Sequence, residues 1–185
     1  MEKRGAGQMN DELLSAIQNT RDYGFAVDDV VPIEGRLLNN ARLFELHTRL
    51  IEVFGKLDIE ILNGRCVTVS FEAMPLVREV FKVEPILTIG WLTSEDKVKF
   101  YKSPEEIRNL ILNGSNGELF GMHVWITLPT MEVLDFTFAT SCGVVQSDES
   151  LIGQIIAGHM DELIGMSFHP SLVGDDVLMN SNLLS

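Results

Sequence analysis

The chain has 185 residues, of which 45% are hydrophobic and 22% are charged, a balance typical of a globular protein that buries a core. It carries 14 Lys and Arg against 27 Asp and Glu, so its formal charge is −13, which repels nucleic acid and anionic membranes. We therefore expect a protein or peptide as partner, basic or neutral in charge, and neither nucleic acid nor a membrane.

Two features of the sequence point to a reducing compartment. Cys66 and Cys142 are too few for a disulfide scaffold, so both are expected to be free thiols. The first ten residues contain no apolar stretch of the kind that a cleaved signal peptide needs, and no apolar run approaches the roughly 18 residues that span a bilayer. We expect a cytoplasmic protein, with signal-independent export as the alternative. The sequence carries no signal for an oligomeric state.

The first half of the chain predicts helices. Residues 1–9 are expected to form a flexible tail, and residues 10–180 a single domain. Apolar residues at helical spacing, with polar caps and a stop at Gly55, define these helices, and Pro75 implies a kink or a break in the last of them. The predicted helices cover residues 10–18, 36–54 and 66–83.

The second half predicts mainly antiparallel strands. Ser103 and Pro104, followed by two glutamates, mark a helix start, and residues 129–131 form a hairpin turn. The predicted strands cover residues 85–93, 97–101, 123–128, 132–138 and 173–178, with helices at 103–112 and 151–158 and a loop at 141–150. Helices followed by antiparallel strands make an α+β layout.

Three residues of these elements predict a thiol catalytic triad. Cys66 begins a helix, where the dipole stabilises the thiolate nucleophile and backbone N–H groups can hold an oxyanion. His123 begins a strand and can take up and return the proton. Asp135, on the paired strand, can orient the imidazole.

The predicted hairpin relates His123 to Asp135. With a three-residue loop, opposed positions sum to 260, so His123 faces residue 137 and Asp135 is its diagonal neighbour on the same face. A register shifted by one residue would place the two side chains on opposite faces.

These motifs resemble the transglutaminase-like branch of the papain-like cysteine enzymes. The matching stretches are "GRCVTVS" at 64–70, "MHVWITLP" at 122–129 and "EVLDFT" at 132–137. They follow the family order of Cys at a helix start, His-x-Trp on a strand and Asp-x-Thr on the next strand, with spacings of 57 and 12 residues. The resemblance covers residues 60–140.

The resemblance implies a papain-like core, in which the helix that begins at the catalytic Cys66 packs on an antiparallel sheet. It also implies acyl transfer through a thioester, with His123 as base and then acid, as in cysteine peptidases, transglutaminases and protein glutamine deamidases. No metal or organic cofactor is implied. The chain departs from the family in lacking a calcium-loop signature and an oxyanion glutamine before the cysteine. The backbone N–H of Cys66, or the side chain of Asn63, could serve as donor instead.

Each site residue also has a plainer interpretation. Cys66 could be a buried apolar side chain, His123 a strand-edge histidine and Asp135 a capping acid. Trp125 fits a core position under the site better than a substrate contact. Cys142 is interpreted as an ordinary loop cysteine rather than a second site thiol.

Other histidines suggest no site: His47 is expected on a helix surface and His169 in a loop before Pro170, while His159 with Asp161 and Glu162 fits no recognised metal spacing. The leading function is therefore a hydrolase or acyltransferase acting on a carboxamide or peptide bond. The alternatives are a catalytically silent binding module with a papain-like fold, and acyl transfer from a small thioester donor as in arylamine N-acetyltransferases.

Overall fold

The structure is a computed structural model that describes residues 6–30, 32–114 and 121–180. Over these residues the chain forms seven α-helices, six strands and two short 3-10 helices. The helices are α1 (Ala6–Asp22), α2 (Asn40–Phe54), α3 (Ile59–Leu62), α4 (Cys66–Phe81), α5 (Pro104–Asn113), α6 (Phe138–Gln146) and α7 (Asp175–Asn180). The strands are β1 (Ile86–Ser94), β2 (Lys97–Lys99), β3 (His123–Thr127), β4 (Glu132–Asp135), β5 (Ile156–His159) and β6 (Met166–Val173). The predicted α+β class is confirmed.

The described residues divide into two compact units, and each unit is discontinuous in sequence. The first lies within Met1–Val30, Thr88–His123 and Met160–Ser185, and the second within Val31–Leu87 and Val124–His159. One boundary falls inside β1 and another directly after His123, the first residue of β3. The single domain over residues 10–180 stays a prediction.

In the first unit, β1 is the central strand and pairs antiparallel with both β2 and β6. Helix α1 packs on β6, where the Thr20 hydroxyl accepts a hydrogen bond of 2.9 Å from the Val173 backbone N–H. The helix begins at Ala6, four residues before the predicted start, and the flexible tail over residues 1–9 stays a prediction. Residues 1–5 lie outside the described residues.

The second unit combines the antiparallel strands β3, β4 and β5 with four helices. Helix α2 starts at its cap Asn39, whose side chain accepts from the Arg42 N–H, and it ends at Gly55 as predicted. Helices α2 and α4 pack together, and each carries apolar side chains that are fully or almost fully buried. These side chains are Leu46, Leu50, Val69, Ala73, Val77 and Phe81.

Several elements follow the sequence closely. Helix α5 begins at Pro104 with the expected acids in its first turn, and Ser103 and Glu106 cap each other's backbone N–H groups. Helix α4 starts at Cys66 as predicted and ends at Phe81. Pro75 lies inside it without dividing it into two, so the predicted break is wrong.

Other elements correct the sequence prediction. The strand expected to run to Phe138 ends at Asp135, and helix α6 occupies part of the predicted loop at 141–150. The helix expected at 151–158 is wrong, because Ile156–His159 is strand β5, held by antiparallel pairing with β4.

The strand predicted at 173–178 is also wrong. Strand β6 ends at Val173, and helix α7 begins after Gly174 at two aspartates that favour a helix N-terminus. His169 and Pro170, expected in a loop, lie within β6, next to an irregularity of register opposite Ile89 and Gly90.

Membrane insertion through a helix finds no support in the described ranges. None of their helices combines the length and the apolar character that crossing a bilayer requires.

Candidate active site

Cys66 is the first residue of α4, and the chain reaches it through a short, well-bonded turn. Asn63 ends α3 by donating its backbone N–H to Ile59 O, and Gly64 follows in the left-handed region at φ 71°. Arg65 then donates its N–H to Leu62 O and caps α4 without a side-chain hydrogen bond. The thiol is half-buried, so a substrate can reach it in part. It also lies at the N-terminus of a 16-residue helix, where the helix dipole is positive.

The start of α3 is fixed by a charged pair. Asp58 accepts the N–H of Ile61 at 3.2 Å and so caps α3. The Lys56 ammonium hydrogen-bonds the same carboxylate and holds the pKa of Asp58 below its usual range. The charged form of Asp58 is therefore retained to lower pH than usual, and with it the cap of the helix that leads to Cys66.

Helix α4 is anchored to the strand that carries the predicted histidine. The buried Ser70 hydroxyl donates a hydrogen bond of 3.2 Å to the Val124 carbonyl of β3. Ser70 lies one helical turn after Cys66, so this bond fixes the N-terminal half of α4 on the strand. The contact lies entirely within the second unit.

The hairpin that joins β3 and β4 has the predicted register. Ile126 pairs with Leu134 and Thr127 with Val133, so opposed positions sum to 260 as expected. The turn closes through the Leu128 N–H, which donates to Glu132 O at 2.8 Å. Continued by one pair, this register sets Asp135 opposite residue 125.

Asp135 is fully buried and helps to start helix α6. Its Oδ1 accepts the backbone N–H groups of Thr137 at 2.9 Å and Phe138 at 3.1 Å. Thr137 is the N-terminal cap of α6 and Phe138 is its first residue, and backbone N–H groups at this end of a helix have no partner within the helix. The side chain therefore does the work of a capping acid, the plainer role that the sequence also allowed.

His123 is only 3% exposed and begins β3. Its imidazole stacks on the ring of Phe100, with ring centroids 5.1 Å apart and planes 19° apart. Both residues lie in the first unit. Phe100 was not predicted as a site residue, and its only signal in the sequence is an aromatic residue within the short alternating stretch 97–101.

The remaining predicted site residues differ in exposure. Asn63 is exposed at the end of α3. Trp125 is fully buried and its indole N–H donates to the Thr127 hydroxyl at 3.1 Å, which is a core environment. Cys142 lies in helix α6 and not in a loop, and its thiol is half-buried like that of Cys66.

The division into units separates the predicted residues. Asn63, Cys66, Trp125 and Asp135 belong to the second unit, whereas His123 is the last residue of a segment of the first.

Glu132 is a buried charged residue that the sequence analysis did not identify. The carboxylate is 1% exposed and accepts the backbone N–H groups of Leu37 at 2.7 Å and Leu38 at 3.0 Å, together with the Thr130 hydroxyl at 2.5 Å. Across the sheet its partner in β5 is His159, which is also buried. Glu132 thereby fastens the segment before α2 to the hairpin.

Across the described ranges, no group of three or more His, Cys, Asp or Glu side chains could hold a metal ion. Comparisons of the chain with protein-family models, curated proteins and solved structures found no match.

Proposed function

We propose that this protein is a cysteine-dependent acyl-transfer enzyme that acts on a carboxamide or peptide bond through Cys66, His123 and Asp135. The observation that carries the proposal is the half-buried Cys66 thiol at the start of a long helix whose cap makes no side-chain hydrogen bond. The anchoring of that helix to β3, the strand that begins with His123, supports it. A papain-like core of the transglutaminase-like type is part of the proposal.

In the proposed first half-reaction, His123 accepts the Cys66 proton and the sulfur attacks the carbonyl carbon of the substrate. The resulting oxyanion is stabilised by the backbone N–H of Cys66, with the Asn63 side chain as a second donor. His123 then protonates the departing nitrogen as the carbon–nitrogen bond breaks, which leaves a thioester on Cys66.

In the second half-reaction, water or an amine attacks the thioester, and His123 takes its proton and returns it to the sulfur. Water gives hydrolysis or deamidation, and an amine gives transamidation. Asp135 orients His123 in this scheme. Since its Oδ1 already accepts the first N–H groups of α6, the scheme assigns that task to Oδ2.

The charge of the chain supports a protein or peptide as the acyl donor. At −13 the protein attracts basic partners, does not repel neutral ones and repels phosphate backbones. No organic cofactor is needed, because the sulfur itself carries the acyl group.

The proposal is tested by trapping the thioester. The protein is mixed with glutamine-containing peptides, quenched in acid, digested and analysed by mass spectrometry. We expect an acyl adduct on the peptide that contains Cys66, and its release as a hydroxamate when hydroxylamine is added before the quench.

Cys142→Ala is the matched control, since Cys142 is also half-buried, and it should leave the adduct unchanged. Cys66→Ala should abolish the adduct with the fold intact. An adduct on Cys142 would overturn Cys66 as the nucleophile. A Cys66 that stays unmodified across a broad peptide panel, while Cys66→Ala unfolds the protein, favours the catalytically silent binding module.

A further inference from the structure

Phe100 is the large apolar side chain that lies directly against the imidazole of His123. Phe100 is 38% exposed, whereas His123 is 3% exposed. The two rings stack nearly parallel with their centroids 5.1 Å apart, so the phenyl ring covers one side of the imidazole. Phe100 itself remains partly exposed to solvent. A molecule that approaches the histidine from this side therefore meets an aromatic surface.

The backbone of Phe100 has a conformation that is unfavourable for any residue other than glycine. Its φ of 62° lies in the left-handed region, which costs a residue with a Cβ about 1–2 kcal/mol. A glycine would adopt it without strain. Contacts of the phenyl ring must therefore offset the cost, and the contact with His123 is one of them.

The chain around Phe100 exposes further apolar surface. Val98 on β2 and Tyr101 are both more than half exposed, and the Tyr101 ring meets Trp91 edge to face at 5.3 Å. All of these residues belong to the first unit. Covering such side chains removes apolar area from water, which favours an apolar ligand here.

We propose that Phe100 forms an apolar subsite beside His123, which receives an aromatic or long aliphatic side chain of the peptide acyl donor. The subsite rests on the proposed function, because the role of His123 in proton transfer brings the reacting carbonyl next to Phe100. A peptide with such a side chain adjacent to the reacting amide is then the preferred substrate, and glycine at that position is disfavoured.

The test compares two chloromethyl ketones that alkylate Cys66, one with an N-acetyl-phenylalanyl group and one with an N-acetyl-glycyl group. Each rate is divided by the rate with iodoacetamide, which carries no side chain. We expect Phe100→Ala to reduce the preference for the phenylalanyl reagent about 3- to 10-fold, the range of an aromatic contact. Phe100→Leu should retain part of the preference.

Phe71→Ala is the matched control, because Phe71 on α4 has the same exposure of 38% and lies in the other unit. It should leave the preference unchanged. An equal preference in the wild type and Phe100→Ala overturns the subsite.

A second measurement separates the subsite from the proposed function. N-acetyl-phenylalaninamide is titrated into the wild type and Phe100→Ala, and the ring C–H signals of His123 are followed by NMR. If the His123 signals shift in the wild type but not in Phe100→Ala, the apolar contact is supported even when Cys66 is inert. In that case only the assignment of the ligand as an acyl donor is wrong. Absence of shifts in the wild type overturns the subsite even when Cys66 reacts.

Discussion

Removal of the Glu132 carboxylate tests how the segment before α2 is held to the hairpin. The side chain is almost fully buried and accepts two backbone N–H groups and one hydroxyl. In Glu132→Ala the donors at Leu37, Leu38 and Thr130 all lose their acceptor. We expect this substitution to be among the most destabilising single changes in the second unit.

The size of the effect follows from the kind of bond that is lost. A hydrogen bond to a charged acceptor contributes about 1.5–3 kcal/mol, and bonds that share one carboxylate do not add fully. We therefore expect Glu132→Ala to lower the free energy of unfolding by about 3–5 kcal/mol. Glu132→Gln keeps one acceptor oxygen and should lower it by about half as much.

Unfolding in guanidinium chloride measures these values, with the slope against denaturant as a check that the unfolded state is unchanged. Amide hydrogen exchange at Leu37 and Leu38 should accelerate in Glu132→Ala. The exposed Glu52 on α2 is the control, and Glu52→Ala should stay within about 0.5 kcal/mol of the wild type. If Glu132→Ala is as stable as this control and the two amides exchange as before, the carboxylate does not hold the segment.

Three further predictions concern single residues. Asp135→Asn keeps an acceptor for α6 and should cost about 1 kcal/mol of stability by thermal unfolding. The rate of acyl transfer should nevertheless fall at least about 100-fold, and a folded variant that keeps the wild-type rate would contradict a catalytic role. Gly153→Ala should lower the stability by about 2 kcal/mol or more in the same assay, because Gly153 has a φ of 77° and an added Cβ would lie 2.6 Å from Leu57 O. An unchanged stability would show that the backbone can move to admit the Cβ. The Arg78 guanidinium holds the pKa of Glu84 below its usual range, so this pair stabilises the fold above the usual carboxyl pKa and the effect fades as the pH falls through the lowered value. Arg78→Ala should return the pKa of Glu84 to its usual range in an NMR titration, and an unchanged titration would exclude the pair as the cause.

Where the structure agrees with the sequence, the signals are local. The turn at residues 129–131 and the alternation around it fix the register of β3 and β4, and the Ser103 cap fixes the start of α5. Cys66 begins its helix as predicted, and Gly64, two residues before it, takes the left-handed conformation that suits a glycine in the predicted turn.

The errors arise where a distant partner decides the structure. Residues 151–158 have an apolar content that suits a helix, yet Ile156–His159 is a strand because it pairs with β4, more than twenty residues earlier in the chain. The aspartates at the start of α7 are, by contrast, a local signal that favours a helix N-terminus.

Burial was the hardest property to predict. Alternation along β4 suggests that Glu132 and Asp135 lie on opposite faces and that one of them meets solvent, yet both are buried. Glu132 is buried because the segment before α2 covers it, and that segment has no periodic pattern from which its course could be predicted. The contact of Phe100 with His123 likewise depends on a backbone conformation that no propensity assigns to phenylalanine.

The central claim is that Cys66 is an activated nucleophile, and alkylation by iodoacetamide at pH 6–7 tests it most directly. Cys66 and Cys142 are both half-buried, so a difference in their rates does not arise from exposure alone. We predict that Cys66 reacts at least about tenfold faster than Cys142 in this range, below the pH at which an ordinary thiol ionises, and that His123→Ala removes the difference. Equal alkylation rates of Cys66 and Cys142 at pH 6–7 in the folded protein would contradict the claim.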